Sequence, residues 1–189
     1  MKKSVEKKAY LYSIAIIVLL VSFLFDSPIA QFFSLHKMPF FDGIFIFINN
    51  YGTYLLFAVS LLLFLVFMKG EWKKGAIKLI SAFVLMYIAT EAIKIIAARP
   101  RPFTKFSGFS SLGETDINKS FPSGHAATAA TPLRFFRFNN ALFIFWIIVT
   151  LLVMFSRVYL GMHYLSDVIA GGILGYAISD VIISATRKP

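Results

Sequence analysis

Uncharged apolar stretches about as long as a bilayer is thick limit what this chain can fold into more than any other feature. Residues 141–156 carry no charged side chain, and comparable runs recur along the 189 residues. A helix needs roughly 20 mostly apolar residues to cross the hydrocarbon core. Six candidates appear: 9–25, 53–68, 77–98, 123–136, 141–159 and 164–185, of which 53–68 is short but uncharged and 123–136 is small and alanine-rich. In lipid only helices and closed barrels satisfy their backbone polar groups, and these runs are continuous rather than alternating. The sequence therefore predicts an all-α integral membrane bundle of six transmembrane helices, forming a single domain over residues 1–189. Composition agrees. Charged residues make up 15% of the chain, against about 25% in ordinary globular domains, so an ordinary water-soluble domain is excluded. With 22 Phe, so is a disordered chain. The absence of cysteine removes disulfides, thiolate metal sites and a cysteine nucleophile.

Basic residues set the orientation. Lys2, Lys3, Lys7 and Lys8 precede the first run, and Lys69, Lys73, Lys74 and Lys78 lie around the second connection. Arg134 and Arg137 mark the fourth connection, and Arg187 and Lys188 the end. These twelve of the 19 basic residues fall on one face if six helices alternate, which predicts that both termini are cytoplasmic. The net charge of +10 then reads as topology rather than nucleic-acid affinity. The first run also has the layout of a signal peptide. We expect it to be retained, because its removal would leave five spans and break the charge pattern. Segment 26–52, rich in Phe, is expected to lie along the interface as short amphipathic pieces. Segment 99–122 is polar and broken by Pro100, Pro102, Gly108 and Gly113.

The remaining basic residues, Lys37, Lys94, Arg99, Arg101, Lys105, Lys119 and Arg157, fall on the other side. Lys94 and Arg157 lie inside or at the ends of apolar helices, where charge is costly and usually functional. His125 and His163 fall at the same level. Fixed cations from Lys94, Arg101 and Arg157 suit a phosphate or a phosphoryl transition state. The turn Pro122-Ser123-Gly124-His125 opens a helix, and a helix start is a further anion site; Ser123 also suits a plain N-cap. The two histidines supply a nucleophile and an acid. Asp167 lies four residues after His163, on the same helical face, placed to accept its Nδ1 proton. Each residue alone has a blander reading: a structural histidine, a snorkelling Lys94, a capping Asp167. The two histidines and Asp167 could also be metal ligands, but three cations in the same constellation would repel a divalent ion. Convergence of three separate segments at one depth favours phosphate chemistry.

Lys94 and, after six residues, Arg101-Pro102; Pro122-Ser123-Gly124-His125; Ser156-Arg157, then five residues to His163 and three more to Asp167: this pattern resembles the three-part signature of the type 2 phosphatidic acid phosphatase superfamily, or lipid phosphate phosphatases. That superfamily shares its site with vanadium haloperoxidases. The signature covers residues 94–167, and the helix plan extends the likeness to nearly the whole chain. The resemblance implies His163 as a nucleophile forming a phosphohistidine, Asp167 orienting it and His125 as general acid. Lys94, Arg101, Ser123, Gly124 and Arg157 would bind the phosphoryl oxygens. It implies hydrolysis of an extracytoplasmic lipid phosphate or diphosphate without metal or cofactor.

The expected partners are the bilayer and the lipid substrate, with no nucleic acid and no obligate protein partner. The expected place is the cytoplasmic (inner) membrane, with the site facing outward. A polyprenyl (undecaprenyl) diphosphate is the favoured substrate. Phosphatidylglycerophosphate or phosphatidic acid comes next, followed by a lipid A 1-phosphatase or lipid phosphotransferase activity. A transporter is the rival from another class; it requires charges spread across the membrane depth. Here Asp180 alone departs from the one-sided clustering, and it reads as interfacial. Arg99, outside the signature spacing, reads as a supporting cation or a head-group contact.

Overall fold

A computed structural model of the chain describes residues 2–185, and all regular structure among them is helical. The order is α1 (Lys2–Ser22), a 3-10 turn (Phe23–Phe25), α2 (Asp26–Leu35), α3 (Pro39–Phe67), α4 (Trp72–Ala97), α5 (Gly124–Ala130), two further 3-10 turns (Thr131–Arg134 and Phe136–Phe138), α6 (Asn140–Tyr159) and α7 (Leu165–Ala185). Arg187 and Lys188, part of the orientation argument, lie outside the described residues.

Five segments are long and apolar enough to cross a membrane: Lys8–Leu35, Phe40–Phe67, Trp72–Thr104, Asn140–Tyr159 and Leu165–Ala185. Two expectations need correction. Segment 26–52 is not a set of interfacial pieces, because it contains α2 and the first half of α3, both parts of long apolar segments. Its charged residues, Asp26, Lys37 and Asp42, are paired within the protein. Asp26 binds Arg99 and Ser166, Asp42 accepts from the Tyr159 hydroxyl, and Lys37 donates to the Tyr159 carbonyl. Segment 123–136, expected as one spanning helix, is a seven-residue α5 followed by 3-10 turns. Pro132 accounts for the change: it lacks an N–H, and its ring collides with the carbonyl four residues back in an α-helix.

That short segment is the axis of the bundle. Every residue from 126 to 132 is buried, with α3, α4, α6 and α7 all packed against α5. Close approach of α7 depends on Gly171 and Gly175, one turn apart. A Cβ on Gly171 would collide with the Ser123 carbonyl, and one on Gly175 with the Ala127 carbonyl. The glycines thus serve packing within the chain, in the manner of small residues at membrane-helix interfaces. Below α5 the core fills with Phe64, Leu79, Phe83, Phe136 and Trp146. The Trp146 indole donates to the Ala129 carbonyl at 2.8 Å, so its one polar atom is satisfied.

Asp180 lies at the far end of the bundle, where it is buried and paired rather than solvated. It is 6% exposed and accepts from Lys8 at 2.7 Å and Arg134 at 2.6 Å. Thirteen residues of α7 separate it from Asp167, about 20 Å at helical rise. The segment from His125 to Arg134 therefore runs from one end of the bundle to the other.

Candidate active site

His163 lies in the short connection between α6 and α7 and is 3% exposed. Its Nδ1 is 2.7 Å from the Ser120 main-chain oxygen. A carbonyl only accepts, so Nδ1 carries the proton and Nε2 keeps its lone pair. That Nε2 faces Arg101 Nη1 at 3.4 Å. Burial, with Arg101 and Arg157 close by, holds the imidazole well below the ordinary histidine range. Its neutral form is therefore favoured at neutral pH.

Asp167, in the first turn of α7, is fully buried. It stands 3.8 Å from His163 Nδ1, outside hydrogen-bonding distance; the Nδ1 proton goes to the Ser120 carbonyl instead. The carboxylate accepts from the Ser120 hydroxyl at 2.5 Å, the Tyr164 N–H at 2.8 Å and Arg99 Nη1 at 2.6 Å. Asp167 and His163 thus both hold Ser120, one by its side chain and one by its main chain. Arg99 spans two carboxylates, since its Nη2 donates to Asp26 at 2.6 Å. It also lies 4.3 Å from the Tyr164 ring centroid. These contacts make Arg99 a cross-link between α2 and α7.

Arg101 follows the break after α4. Ala98 takes a left-handed conformation (φ 42°) and ends the helix, and the following Pro100 cannot continue it. Arg101 is then fixed by two main-chain oxygens, Asp116 at 3.0 Å from Nε and Met162 at 3.1 Å from Nη1. Lys94 lies in the last turn of α4, and its Nζ pairs with Glu91 at 2.7 Å. A Cβ built on Gly124 would lie 3.5 Å from that Nζ, so the Ser123-Gly124 turn and Lys94 adjoin. Ser123 is the observed N-cap of α5, accepting from the Ala126 N–H, while its own N–H donates to the Asp167 carbonyl.

Arg157 closes the group from the last turn of α6. Its Nη1 donates to Asn49 Oδ1, and its buried Nε has no hydrogen-bond partner in the protein. An unsatisfied buried donor is costly unless a ligand takes it. Asn49 also offers its main-chain oxygen to His125 Nε2 at 3.1 Å. One turn on, Gly52 adjoins the His125 ring: a Cβ there would touch Cδ2 at an ordinary 3.5 Å.

All eight residues expected from sequence gather at one end of the bundle. Sequence reasoning missed Asn49, Ser120, Asp26, Glu91 and Glu114, the last with its carboxylate 3.1 Å from Arg101 Nη2. A buried-charge argument could have found Asp26, an acidic residue after an apolar run; the rest have no signal in spacing. Among the described residues, charge does not continue through the bundle as a transporter path requires. The far cluster of Lys8, Arg134 and Asp180 is paired internally, and the intervening core is apolar.

The sequence profile of the PAP2 superfamily matches residues 75–188. The chain belongs to that superfamily. Among relatives of the PAP2 chain, the undecaprenyl-diphosphatase of Sulfolobus acidocaldarius is 30% identical over 157 residues, covering 82% of this chain and 75% of the relative. Two crystal structures share the PAP2 fold. The transmembrane PAP2-type phosphatidylglycerolphosphate phosphatase of Bacillus subtilis superposes with TM-score 0.72 at 22% identity, covering 94% of each chain. LpxE of Aquifex aeolicus gives TM-score 0.67 at 22% identity, covering 84% of this chain and 94% of its own. The protein is a PAP2-type phosphatase and a multi-span membrane protein.

Proposed function

We propose that this PAP2 phosphatase hydrolyses the terminal phosphate of a polyprenyl diphosphate by a metal-independent phosphohistidine mechanism. One observation carries the reading: the free Nε2 of His163 and the Nη1 of Arg101 face each other at 3.4 Å. A phosphoryl group entering there meets nucleophile and cation together. His163 Nε2 attacks phosphorus, and the bond from phosphorus to the leaving oxygen breaks. Arg101, Lys94 and the orphan Nε of Arg157 take the phosphoryl oxygens, beside the Ser123-Gly124 turn. His125, as the imidazolium beside the bound phosphate anion, transfers the Nε2 proton that rests on the Asn49 carbonyl to the leaving oxygen. The resulting neutral His125 takes a proton from water, which attacks the phosphohistidine and releases inorganic phosphate. Asp167 acts on His163 through Ser120. Three clustered cations favour an oxyanion over a divalent metal.

The substrate choice follows the relative named as an undecaprenyl-diphosphatase. The segment running from His125 to Arg134 serves as the sixth crossing, enclosed by the five long ones, in a single domain over residues 1–189. Six crossings put both termini on one side, and the lysine and arginine distribution makes that side cytoplasmic. The site then faces outward across the cytoplasmic membrane.

The test is phosphate release by purified protein in detergent with EDTA. Farnesyl diphosphate is the diphosphate substrate; phosphatidylglycerophosphate, phosphatidic acid and lipid A are the alternatives. Release from the diphosphate above the others, lost in His163→Ala and blocked by vanadate, is expected. Release from a monoester alone would reassign the substrate, and no release from any lipid would contradict the reading.

A further inference from the structure

Two cations of the phosphate seat are paired with carboxylates of the protein itself, Arg101 with Glu114 and Lys94 with Glu91. Arg101 is 4% exposed, so each of its contacts counts. Nε and Nη1 are anchored to the main-chain oxygens of Asp116 and Met162. Nη2 instead pairs with the Glu114 carboxylate at 3.1 Å. Glu114 differs from the anchors in two ways. It is a formal anion, and it reaches Arg101 with a side chain that is 32% exposed, whereas the anchors are main-chain oxygens. It is therefore the contact of this guanidinium that can leave for water by side-chain rotation, without moving the backbone. Its carboxylate sits on Nη2, the nitrogen adjoining the one that faces His163 Nε2. Lys94 has a parallel partner in Glu91, but that pair lies within one helix turn.

We propose that Glu114 is a resident anion in the phosphate seat, which the substrate must displace from Arg101. The inference rests on the phosphate-seat part of the reading above. Exchange of one oxyanion for another on a buried guanidinium returns only the difference between two charge-assisted pairs. Glu114 therefore sets affinity: it holds down the binding of substrate and of the inorganic phosphate product alike. Between turnovers it also keeps Arg101 from being left as an uncompensated buried charge. Its role is in specificity and affinity, not in the bond-breaking step.

Removing the charge while keeping the size tests this. Glu114→Gln and Glu114→Ala are compared with the full wild-type chain in detergent, using calorimetric binding of orthovanadate and of inorganic phosphate. The KM for farnesyl diphosphate is the second readout. Both variants are expected to bind vanadate and phosphate about tenfold more tightly, a gain corresponding to one weakened competitor, with a matching fall in KM. A residue that merely held Arg101 in place would give the opposite sign. Weaker or unchanged anion binding in both variants overturns the inference, as does failure of all three proteins to bind vanadate. Calorimetry needs no turnover. A wild-type protein that binds vanadate but cleaves no lipid would remove the lipid phosphatase reading, while the comparison between wild type and variants still decides the role of Glu114.

Discussion

His163 holds its Nδ1 2.7 Å from the main-chain oxygen of Ser120. A main-chain acceptor cannot be protonated at accessible pH, so this contact sets the imidazole tautomer at all working pH values and leaves Nε2 free to attack. Asp167, 3.8 Å away, contributes by gripping the same serine through its hydroxyl.

The first prediction concerns the protonation of His163. An ordinary histidine is half-protonated near pH 6.5. Burial and the neighbouring arginines depress this group, and a depressed histidine pKa means the neutral form persists to lower pH. Histidine-selective NMR should find the neutral Nδ1–H tautomer at pH 6.5, with protonation only below it. Half-protonation at pH 6.5 would contradict the assignment. With three histidines in the chain, single variants at His36 and His125 complete the spectral assignment.

Arg99 joins two carboxylates that are almost fully buried, Asp26 and Asp167. Removing it as Arg99→Ala strands both, and breaking a buried pair from one side typically costs about 3–5 kcal/mol. The apparent melting temperature in detergent should fall by roughly 6 °C or more. Asp26→Asn, which leaves Asp167 paired, should lower it less. Equal effects would show that Arg99 is not a shared cross-link.

Asn49 acts through Arg157. Its Oδ1 takes the Nη1 proton of a guanidinium whose Nε is already unpartnered. Asn49→Ala should raise the KM and weaken vanadate binding about tenfold, since a hydrogen bond to a charged group is worth roughly 1.5–3 kcal/mol. If kcat falls and vanadate affinity is unchanged, Asn49 does not position the phosphate-binding cation.

Two adjacent glycines in α7 should respond differently to the same substitution. Gly171 lies against the Ser123 carbonyl, whereas a Cβ on Gly172 would only touch the end of Met154 at 3.7 Å. Gly171→Ala should destabilise by about 1–3 kcal/mol through overpacking and cost activity by shifting the Ser123 turn. Gly172→Ala should be neutral or slightly stabilising, as alanine is the better helix former. Thermal unfolding of the two variants side by side reads this directly.

Much of this site was legible in the sequence because its chemistry sits at fixed spacings. The interval from Arg157 to His163 to Asp167 spans the α6–α7 corner, and Lys94 and Arg101 straddle the end of α4. The parts that were not legible lack such a register. Ser120 contributes a main-chain oxygen, which any residue type supplies. Asn49 comes from α3, far from the motifs, and Glu114 from an irregular connection. The extent of the helices was obscured for a related reason. Asp26, Lys37 and Asp42 look like interfacial breaks until their partners Arg99, Ser166 and Tyr159 are known. Pro132, by contrast, stood in plain view as a reason for α5 to stop early.

The most direct test of the account is to trap the intermediate. Rapid acid-free quenching of the enzyme with β-32P-labelled farnesyl diphosphate in EDTA should leave base-stable, acid-labile label on the protein. Peptide mapping should place it on His163, and His163→Ala should take up none. In His125→Ala, where water is no longer activated, the label should persist longer than in wild type. Turnover without a labelled protein, or label that survives in His163→Ala, would contradict the phosphohistidine mechanism.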